Sequence, residues 1–328
     1  MQSVSGTPAD RPGRTALIGV DWGTSSLRAY LMDAHGQILD TVHADKGILH
    51  IEPGRFAAEL DALIGAWRAP DIPVILSGMI GSRQGWIEVP YLDIPATFDE
   101  IGGALVRHPD DPLIHLVPGL ARDPADGAPA DGAPDVMRGE ETQIVGVLGE
   151  LSGQHLLVMP GTHSKWVFVE NGRITWFATF MTGELFAVLR DHSILGRLIA
   201  DQDAKESPEA FSQGLTAAKT LPGGLLQRLF SARTLGLFER ISGGDVAAYL
   251  SGLLIGSEID EALSNLEDPH GSMAISVIGG AALSARYRQA IEHAGLDTTK
   301  GGDDAAARGH YLLAKAAMLL PVSTEPMS

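Results

Sequence analysis

One pattern of strands and turns occurs twice along this chain. In each copy, a short apolar run typical of a buried strand ends in a Gly-Thr-x-Ser turn. A second strand, a glycine turn, a third strand and a helix then follow. The two turns are Gly23–Ser26 and Gly161–Ser164, and the second hairpin closes at Asn171-Gly172, a strong two-residue loop signal. Two copies of one plan predict an α/β protein built from two similar halves.

The chain has 328 residues, enough for about two domains of ordinary size. We expect an N-terminal half at 15–138 and a C-terminal half at 139–328, whose final helix at about 303–320 packs back near the hinge. Residues 1–14 lack the apolar core of a signal peptide and are predicted to form a disordered arm. The segment 123–135 repeats the letters ADGAP and is predicted to be a surface loop.

Composition excludes several classes of function. The chain contains no Cys, which excludes disulfides, thiolate catalysis and cysteine-bound zinc or iron–sulfur sites. Its net charge of −17 disfavours binding to nucleic acid or to anionic lipid, whose affinity comes largely from phosphate neutralisation. No apolar run is long enough to span a membrane. We therefore expect a cytoplasmic protein without nucleic-acid or membrane partners.

The first turn has the chemistry of an anion site. A strand ending in Asp21 is followed by Gly23, Thr24 and Ser25, so backbone N–H groups can approach an anion closely. The Asp21 carboxylate could hold Mg²⁺ through water, as magnesium prefers when phosphates are bound. A tight hairpin with an Asp–Ser capping bond is the alternative. The second copy favours the anion site, because two such turns facing each other across a cleft would clamp a polyphosphate.

A late glycine pair has two interpretations. Gly279-Gly280-Ala281 follows a predicted strand and precedes a helix, where small residues permit close approach of a flat base. A helix-packing pair of glycines is the commoner explanation of such a signal. The chain contains neither the GxGxxG nor the GxxxxGK[ST] pattern, so Rossmann and P-loop sites find no support.

Six ordered motifs resemble those of one enzyme family. They are VDWGTSSLRAYL, SGMIGSRQGWIEVPYL, RGEETQ, PGTHSKW, FMTGELF and IGGAALSARY, within Leu17–Leu320. The chain resembles the 2-dehydro-3-deoxygalactonokinase family of the sugar kinase/chaperone ATPase/actin superfamily. The resemblance implies two ribonuclease H-like/actin-like ATPase half-domains with a cleft between them. It also implies phosphate loop one at Asp21–Ser26, phosphate loop two at Gly161–Ser164 and an adenosine segment at Gly279–Ala281.

The catalytic base is expected just before the second half. Phosphorylating a hydroxyl needs a carboxylate within hydrogen-bond reach of its proton, and in the sugar kinases this acid begins the helix between the halves. Here that position holds Glu140 and Glu141, and we prefer Glu140 because related kinases place their acid after a glycine, here Gly139. The alternative is that the two glutamates only favour a helix N-terminus through its dipole.

The substrate segment, Ser77–Trp86, follows a predicted buried strand at the sheet edge where α/β proteins bind ligands. Arg83 offers a planar fork for the carboxylate of a sugar acid. Trp86 could stack on the sugar or be structural. The predicted substrate-binding residues are Gly81, Ser82, Arg83, Gln84 and Trp86.

Four further residues keep open interpretations. Arg28 could reach a phosphate or pair with an acid, and Lys165 could offset phosphate charge or be a solvated strand residue. His163 and His192, without a third clustered ligand, are weak support for zinc. We expect His163 to hydrogen-bond inside its turn or to touch a phosphate.

These expectations predict an ATP- and Mg²⁺-dependent kinase of 2-dehydro-3-deoxy-D-galactonate, forming the 6-phosphate in galactonate catabolism. A kinase of a related acid, such as the gluconate-derived epimer, is the nearest alternative. An actin- or chaperone-like switch ATPase is the alternative from another class. Its partners would be ATP and a small sugar acid, and a homo-oligomer is left open.

Overall fold

The computed structural model describes residues 15–123, 133–148, 153–199, 207–265, 275–302 and 304–320. The predicted disordered arm and most of the predicted loop at 123–135 lie outside these residues. The chain divides into two compact units. The first comprises 1–153, 170–176 and 302–328, and the second comprises 154–169 and 177–301.

The main sheet of the first unit has the strand order β3-β2-β1-β4-β8-β7. Strands β1, β2 and β3 form an antiparallel meander, whereas β4 pairs parallel with both β1 and β8. The strands are β1 (Thr15–Trp22), β2 (Leu27–Asp33), β3 (Ile38–Ala44), β4 (Val74–Ser77), β7 (Val106–Arg107) and β8 (Ile114–Leu116). Strand β1 is central and its apolar residues are almost fully buried, as expected for a strand covered on both faces.

Smaller strands and three helices complete the first unit, with the final helix α9 added from the end of the chain. A three-stranded sheet has the order β10-β9-β5. The remaining elements are α1 (Phe56–Ile64), β5 (Leu92–Asp93), β6 (Ala96–Thr97), α2 (Phe98–Gly103), β9 (Leu120–Arg122), β10 (Asp135–Met137), α3 (Glu140–Leu148) and α9 (Ala305–Ala316). Helix α1 buries Phe56, Leu60 and Ile64, one stripe at helical spacing, against the core.

Helix α9 is anchored to the first sheet by a buried histidine. His310 is fully buried, and its Nε2 lies 2.9 Å from the Ser77 hydroxyl at the end of β4. Burial lowers the pKa of His310 to about 3, so the imidazole is neutral. The same helix packs against α3, and this packing places both helices in the first unit.

The second unit repeats the strand order of the first, because β13-β12-β11-β14-β15 corresponds to β3-β2-β1-β4-β8. Its sheet runs β15-β14-β11-β12-β13, with β14 parallel to both β11 and β15. The strands are β11 (Gln154–Met159), β12 (Ser164–Glu170), β13 (Arg173–Phe180), β14 (Ile275–Val277) and β15 (Thr298–Lys300). The hairpin tip at 170–176 is counted with the first unit, where Arg173 and Ile174 pair with β6.

Five α-helices belong to the described part of the second unit, besides a short 3₁₀-helix at Gly196–Leu198. They are α4 (Thr182–His192), α5 (Pro208–Thr220), α6 (Leu225–Leu237), α7 (Val246–Ser264) and α8 (Ala281–His293). Helix α7 is buried on nearly every side and packs chiefly against α5. No helix in the described ranges has the length and apolar character that crossing a membrane requires.

The predicted α/β class and its duplicated plan are confirmed, because five strands follow one order in both sheets. The bounds of the compact units differ from the halves predicted from the sequence, since α3 and α9 both pack within the first unit. The predicted division at residue 138 and the predicted cleft stay predictions.

Candidate active site

Phosphate loop one connects β1 to β2 in the first unit. Its turn is closed by a 2.9 Å hydrogen bond from the Gly23 amide to the Ser26 carbonyl. Thr24 and Ser25 are exposed, so a ligand can reach their side chains. Arg28 is also exposed and stands opposite Asp21 in the antiparallel register. The predicted turn is present, and its hydroxyl side chains are accessible.

Two glycine backbones bring the start of α3 close to Asp21. Gly78, directly after β4, has φ +89°, and a Cβ there would lie 3.2 Å from Asp21 Oδ1 and 2.7 Å from the Trp22 carbonyl oxygen. Gly139 has φ +109°, and a Cβ on it would lie 3.1 Å from the Gly78 Cα. Neither the conformation nor the space suits a side chain. The ends of β1 and β4 and the start of α3 therefore meet at one point.

Asp21 and Glu140 interact electrostatically at this point. Burial and, to a smaller extent, the nearby Glu140 charge raise the pKa of Asp21 to about 6, while Arg28 opposes the rise. A carboxyl whose pKa is raised by burial and a neighbouring carboxylate is typical of a functional site. A bound cation would relieve this repulsion.

The raised pKa of Asp21 predicts a stability effect. The folded state binds the Asp21 proton more tightly than the unfolded chain, so the ionised carboxyl destabilises the fold above about pH 6. This destabilisation declines as the pH falls from 6 towards the unfolded value of 3.8. We expect Asp21→Asn to raise Tm by a few degrees near neutral pH, with a smaller gain near pH 5. Calorimetric melting at both pH values checks this, and a lower neutral-pH Tm would contradict it.

The two glutamates at the start of α3 lie in different environments. Glu141 is fully buried, where Oε2 accepts a 2.6 Å hydrogen bond from the Gly139 amide and Oε1 accepts one from the Thr142 hydroxyl. Burial and the charge of Glu140 raise the pKa of Glu141 to about 8. Glu140 is only partly buried, and its Oε2 accepts a 3.0 Å hydrogen bond from the Arg138 amide. Of the pair, Glu140 is the carboxylate that a substrate could reach.

The substrate segment folds into a compact turn after β4. The Trp86 amide donates to the Ile80 carbonyl at 2.9 Å, and Gly81 inside this turn is buried. Arg83 and Gln84 are exposed, whereas Trp86 is half-buried and its ring centroid lies 4.4 Å from that of His108. Part of Trp86 also packs against the core, so both interpretations of this side chain remain open.

Phosphate loop two connects β11 to β12 in the second unit. Thr162 and His163 are exposed. His163 Nε2 lies 2.5 Å from Glu184 Oε2, and the Glu184 amide donates to the Thr162 carbonyl at 2.9 Å. The partner of His163 is thus a residue of α4 rather than one inside the turn. Among the residues that the structure describes, no cluster of three or more metal-binding side chains occurs.

Lys165 is not a solvated strand residue, which was one of its two interpretations. Lys165 is only 5% exposed, and its Nζ donates a 2.8 Å hydrogen bond to the Thr179 hydroxyl. The side chain crosses to β13 because these strands are neighbours in the sheet.

A buried glutamate that sequence reasoning missed supports phosphate loop two. Glu258 on α7 accepts hydrogen bonds from the Ser164 hydroxyl at 2.7 Å, the Trp166 indole at 2.8 Å and the Tyr287 hydroxyl at 2.6 Å. Burial raises the pKa of Glu258, and these donors together with Thr182 oppose the rise. The carboxyl links the end of loop two to α8. The available signal was an acid that ends the long apolar run of α7, just before the exposed acids Asp260 and Glu261.

This network gives a testable prediction. In Glu258→Gln, an amide N–H₂ group replaces an acceptor oxygen, so a buried donor loses its partner at a cost of about 1–3 kcal/mol. We expect a lower Tm and a several-fold higher KM for ATP, with little change in the KM for the second substrate. Glu261→Gln, an exposed change on the same helix, is the matched control. Equal shifts in both KM values would indicate general loosening instead.

The adenosine segment begins α8. Gly279, Gly280 and Ala281 are exposed after the end of β14. The Ser284 hydroxyl is buried, lacks a hydrogen-bond partner among the described residues, and would lie 3.4 Å from a Cβ on Gly279. Sequence reasoning missed Ser284, whose signal was a hydroxyl one helical turn after the glycine pair.

Comparison with known proteins identifies close relatives. The sequence matches the family described as 2-keto-3-deoxy-galactonokinase over residues 21–313. A protein of Rhizobium meliloti (strain 1021), assigned as a 2-dehydro-3-deoxygalactonokinase, is 39% identical over 88% of this chain and 93% of its own length. The 2-dehydro-3-deoxygalactonokinase of Escherichia coli (strain K12) is 36% identical over 91% of this chain and 97% of its own.

A solved structure agrees with these sequence matches. The crystal structure of a Sinorhizobium meliloti protein, also assigned as a 2-dehydro-3-deoxygalactonokinase, superposes with a TM-score of 0.81 at 37% identity. The superposition covers 92% of this chain and 98% of that one. The match therefore extends over both compact units.

Proposed function

Since this chain belongs to the 2-keto-3-deoxy-galactonokinase family, we propose that it phosphorylates 2-dehydro-3-deoxy-D-galactonate. The γ-phosphate of ATP is transferred to the 6-hydroxyl of the sugar acid, a step of galactonate catabolism. Both substrates are small molecules of the cytoplasm, where we place the protein.

One structural observation carries the proposal: Asp21 and Glu140 interact electrostatically where the ends of β1 and β4 meet the start of α3. Phosphoryl transfer to a hydroxyl needs charge neutralisation at the phosphates and a base for the hydroxyl proton. Asp21, in phosphate loop one, is placed to serve the first need. Glu140, partly exposed beside it, is placed to serve the second.

The donor set fits Mg²⁺. Magnesium prefers oxygen ligands and is usually held by one or two carboxylates, with phosphates and waters completing its shell. Asp21 supplies such an oxygen, and the mutual repulsion of Asp21 and Glu140 favours a cation nearby. We propose that Asp21 holds the ion through water. When bound, Mg²⁺ neutralises the charge that develops on the transferred phosphoryl group.

Glu140 is the proposed base, with Glu141 as the alternative. The Glu140 carboxylate accepts the proton of the 6-hydroxyl as its oxygen attacks the γ-phosphorus in line. The bond from that phosphorus to the bridging oxygen breaks, and ADP leaves. Glu141 is buried and already accepts two hydrogen bonds from residues of its own helix start. Its raised pKa keeps it largely protonated at neutral pH, which suits a structural role.

Nucleotide contacts are proposed in the first unit at phosphate loop one, and in the second unit at phosphate loop two and the adenosine segment. The exposed hydroxyl groups of Thr24, Ser25 and Thr162 suit phosphates. The Ser284 hydroxyl, which has no partner among the described residues, suits an adenosine atom. The proposed nucleotide contacts are Gly23, Thr24 and Ser25 in loop one, Gly161, Thr162, His163, Ser164 and Lys165 in or beside loop two, and Gly279, Gly280, Ala281 and Ser284. Gly81, Ser82, Arg83, Gln84 and Trp86 are the proposed contacts of the sugar acid.

Coupled measurement of ADP release tests the proposal. The acceptor panel contains the two 2-keto-3-deoxy acids epimeric at C4, galactonate, galactose and a blank without acceptor. We expect release that depends on Mg²⁺ and on a 2-keto-3-deoxy acid, with the galacto epimer preferred. Preference for the gluco epimer would correct the substrate. Steady ADP release without any acceptor would instead favour a switch ATPase.

A further inference from the structure

Arg138, at the residue before Gly139, is a buried cation with unused hydrogen-bonding capacity. Arg138 is only 9% exposed. Nη2 donates a 2.6 Å hydrogen bond to the Val89 carbonyl. Nε and Nη1 are buried and have no hydrogen-bond partner among the described residues. Arg138 also makes no ion pair in that part of the chain, so its charge is not neutralised there.

A buried cation with unpaired N–H groups destabilises a fold unless a ligand or another residue accepts hydrogen bonds from them. Buried charges are normally paired, because burial removes the water that would otherwise solvate the charge, and a partner must replace it. A structural clamp on the Val89 carbonyl would need only one donor and no charge, which a neutral amide side chain could supply. The charge and the additional donors of the guanidinium are therefore not needed to hold the Val89 carbonyl.

Within the part of the chain that the structure describes, one edge of the guanidinium fork keeps two free N–H groups, one on Nη2 and one on Nε or Nη1. Nε and Nη1 each share an edge of the planar group with Nη2, which carries two N–H groups and gives one to Val89. Whichever N–H group of Nη2 donates to Val89, the second one lies beside Nε or Nη1, and neither of these has a partner among the described residues. A free edge of this kind matches the two oxygens of a carboxylate.

The guanidinium lies against the substrate segment. A Cβ on Gly81 would lie 3.0 Å from Nη1, so the segment leaves room there only for backbone. The next residue, Ser82, has a buried hydroxyl without a partner among the described residues. The ring of Tyr91, 44% exposed, covers one face of the guanidinium at 4.3 Å. Two unsatisfied polar side chains thus border the same turn.

We infer that Arg138 binds the carboxylate of the sugar acid, with the Ser82 hydroxyl beside it. The inference rests on the proposed function, which supplies an acceptor with one carboxylate. Arg138 precedes Glu140 by two residues, so one chain segment would hold the carboxylate and accept the hydroxyl proton. The carboxylate enters when the partly exposed Tyr91 ring turns away from the guanidinium.

Arg83 is the weaker partner for the same carboxylate. It is exposed, and an exposed ion pair contributes little to binding because solvent screens it. A buried guanidinium is screened much less. Arg83 remains a proposed contact of the sugar acid, but we assign recognition of the carboxylate chiefly to Arg138.

Steady-state kinetics of Arg138→Lys, with Arg107→Lys as the matched control, test the inference. Arg107 is exposed on β7 and belongs to no proposed site. Lysine keeps the charge but replaces the planar fork with a point charge, so the two-point contact with a carboxylate is lost. We expect the KM for the sugar acid to rise about 10- to 100-fold in Arg138→Lys. The KM for ATP should stay within about threefold, as should both KM values of Arg107→Lys. Melting curves establish that the variants fold.

The carboxamide of the sugar acid gives a second measurement that needs no variant. The wild-type enzyme should discriminate strongly against the amide, and Arg138→Lys should lose most of this discrimination. Wild-type acceptance of the amide would overturn the inference even if Arg138→Lys failed to fold. Equal rises in the KM values of Arg138→Lys for the sugar acid and for ATP would mean that Arg138 only holds the Val89 carbonyl. A rise in the KM for ATP alone would mean that Arg138 contacts a phosphate. Either result would overturn the inference.

The two proposals fail in different ways. A wild-type enzyme that phosphorylates no 2-keto-3-deoxy acid would contradict the proposed function and, with it, this inference. An active wild type whose Arg138→Lys variant folds and keeps its KM for the acid would overturn the inference alone.

Discussion

Asp21→Asn is expected to lower kcat about 10³-fold while the protein remains folded. The change keeps the size of the side chain and removes the charge that would anchor Mg²⁺ and its waters. Charge neutralisation by a bound metal contributes several kcal/mol to a transition state, and each 1.36 kcal/mol is a factor of about ten. Turnover across a magnesium titration, with circular dichroism alongside, measures the effect.

Asp33→Asn is the matched control. Asp33 lies at the end of β2, is buried, and accepts hydrogen bonds from the His35 and Gln37 amides at 2.8 and 2.9 Å in a turn. Its replacement should reduce stability and leave kcat nearly unchanged. Near-normal turnover of Asp21→Asn at ordinary magnesium would remove phosphate loop one from the proposed site.

Glu140→Gln is expected to lower kcat by about 10²–10⁴-fold, the usual effect of losing a general base. The amide keeps the size of the side chain but cannot accept the hydroxyl proton. Binding of both substrates should persist, so the KM values should change little. Steady-state kinetics with both substrates varied checks this separation of kcat from KM.

Glu141→Gln provides the comparison, because it removes a carboxyl from the same helix start. Glu141 is fully buried and bonded to the Gly139 amide, so we expect a change in stability and a much smaller loss of kcat. Small, equal losses in both variants would mean that the pair only supports the helix N-terminus. A large loss in Glu141→Gln alone would move the base by one residue.

The duplicated plan could be read from the sequence because its signals are local. Apolar runs, Gly-Thr-x-Ser turns and the Asn171-Gly172 loop predict strands and hairpins from a few neighbouring residues. The strands that complete each sheet, β8 and β15, were missed. Each is only three residues long, too short to show a period, and exists through pairing with β4 or β14.

The candidate residues could also be named in advance, but their environments could not. Sequence alone left Glu140 and Glu141 nearly equivalent, and the structure separates them by burial. Lys165 was open to two interpretations until its bond to Thr179 across the sheet became visible. Arg138 lay inside a recognised motif, yet no role was predicted for it.

The sequence by itself determined the α/β class, the repeated half, the family and the approximate position of each loop. These follow from periodicity, turn chemistry and ordered motifs, all of which are written along the chain. The tertiary structure alone decided that Asp21 lies against Gly78 and that Gly139 lies against Gly78. It alone also decided that Glu258 bonds to loop two, and that Arg138 is buried with two nitrogens unpartnered among the described residues. Burial and pairing depend on residues far apart in the chain, so they exist only once the sheets and helices have packed.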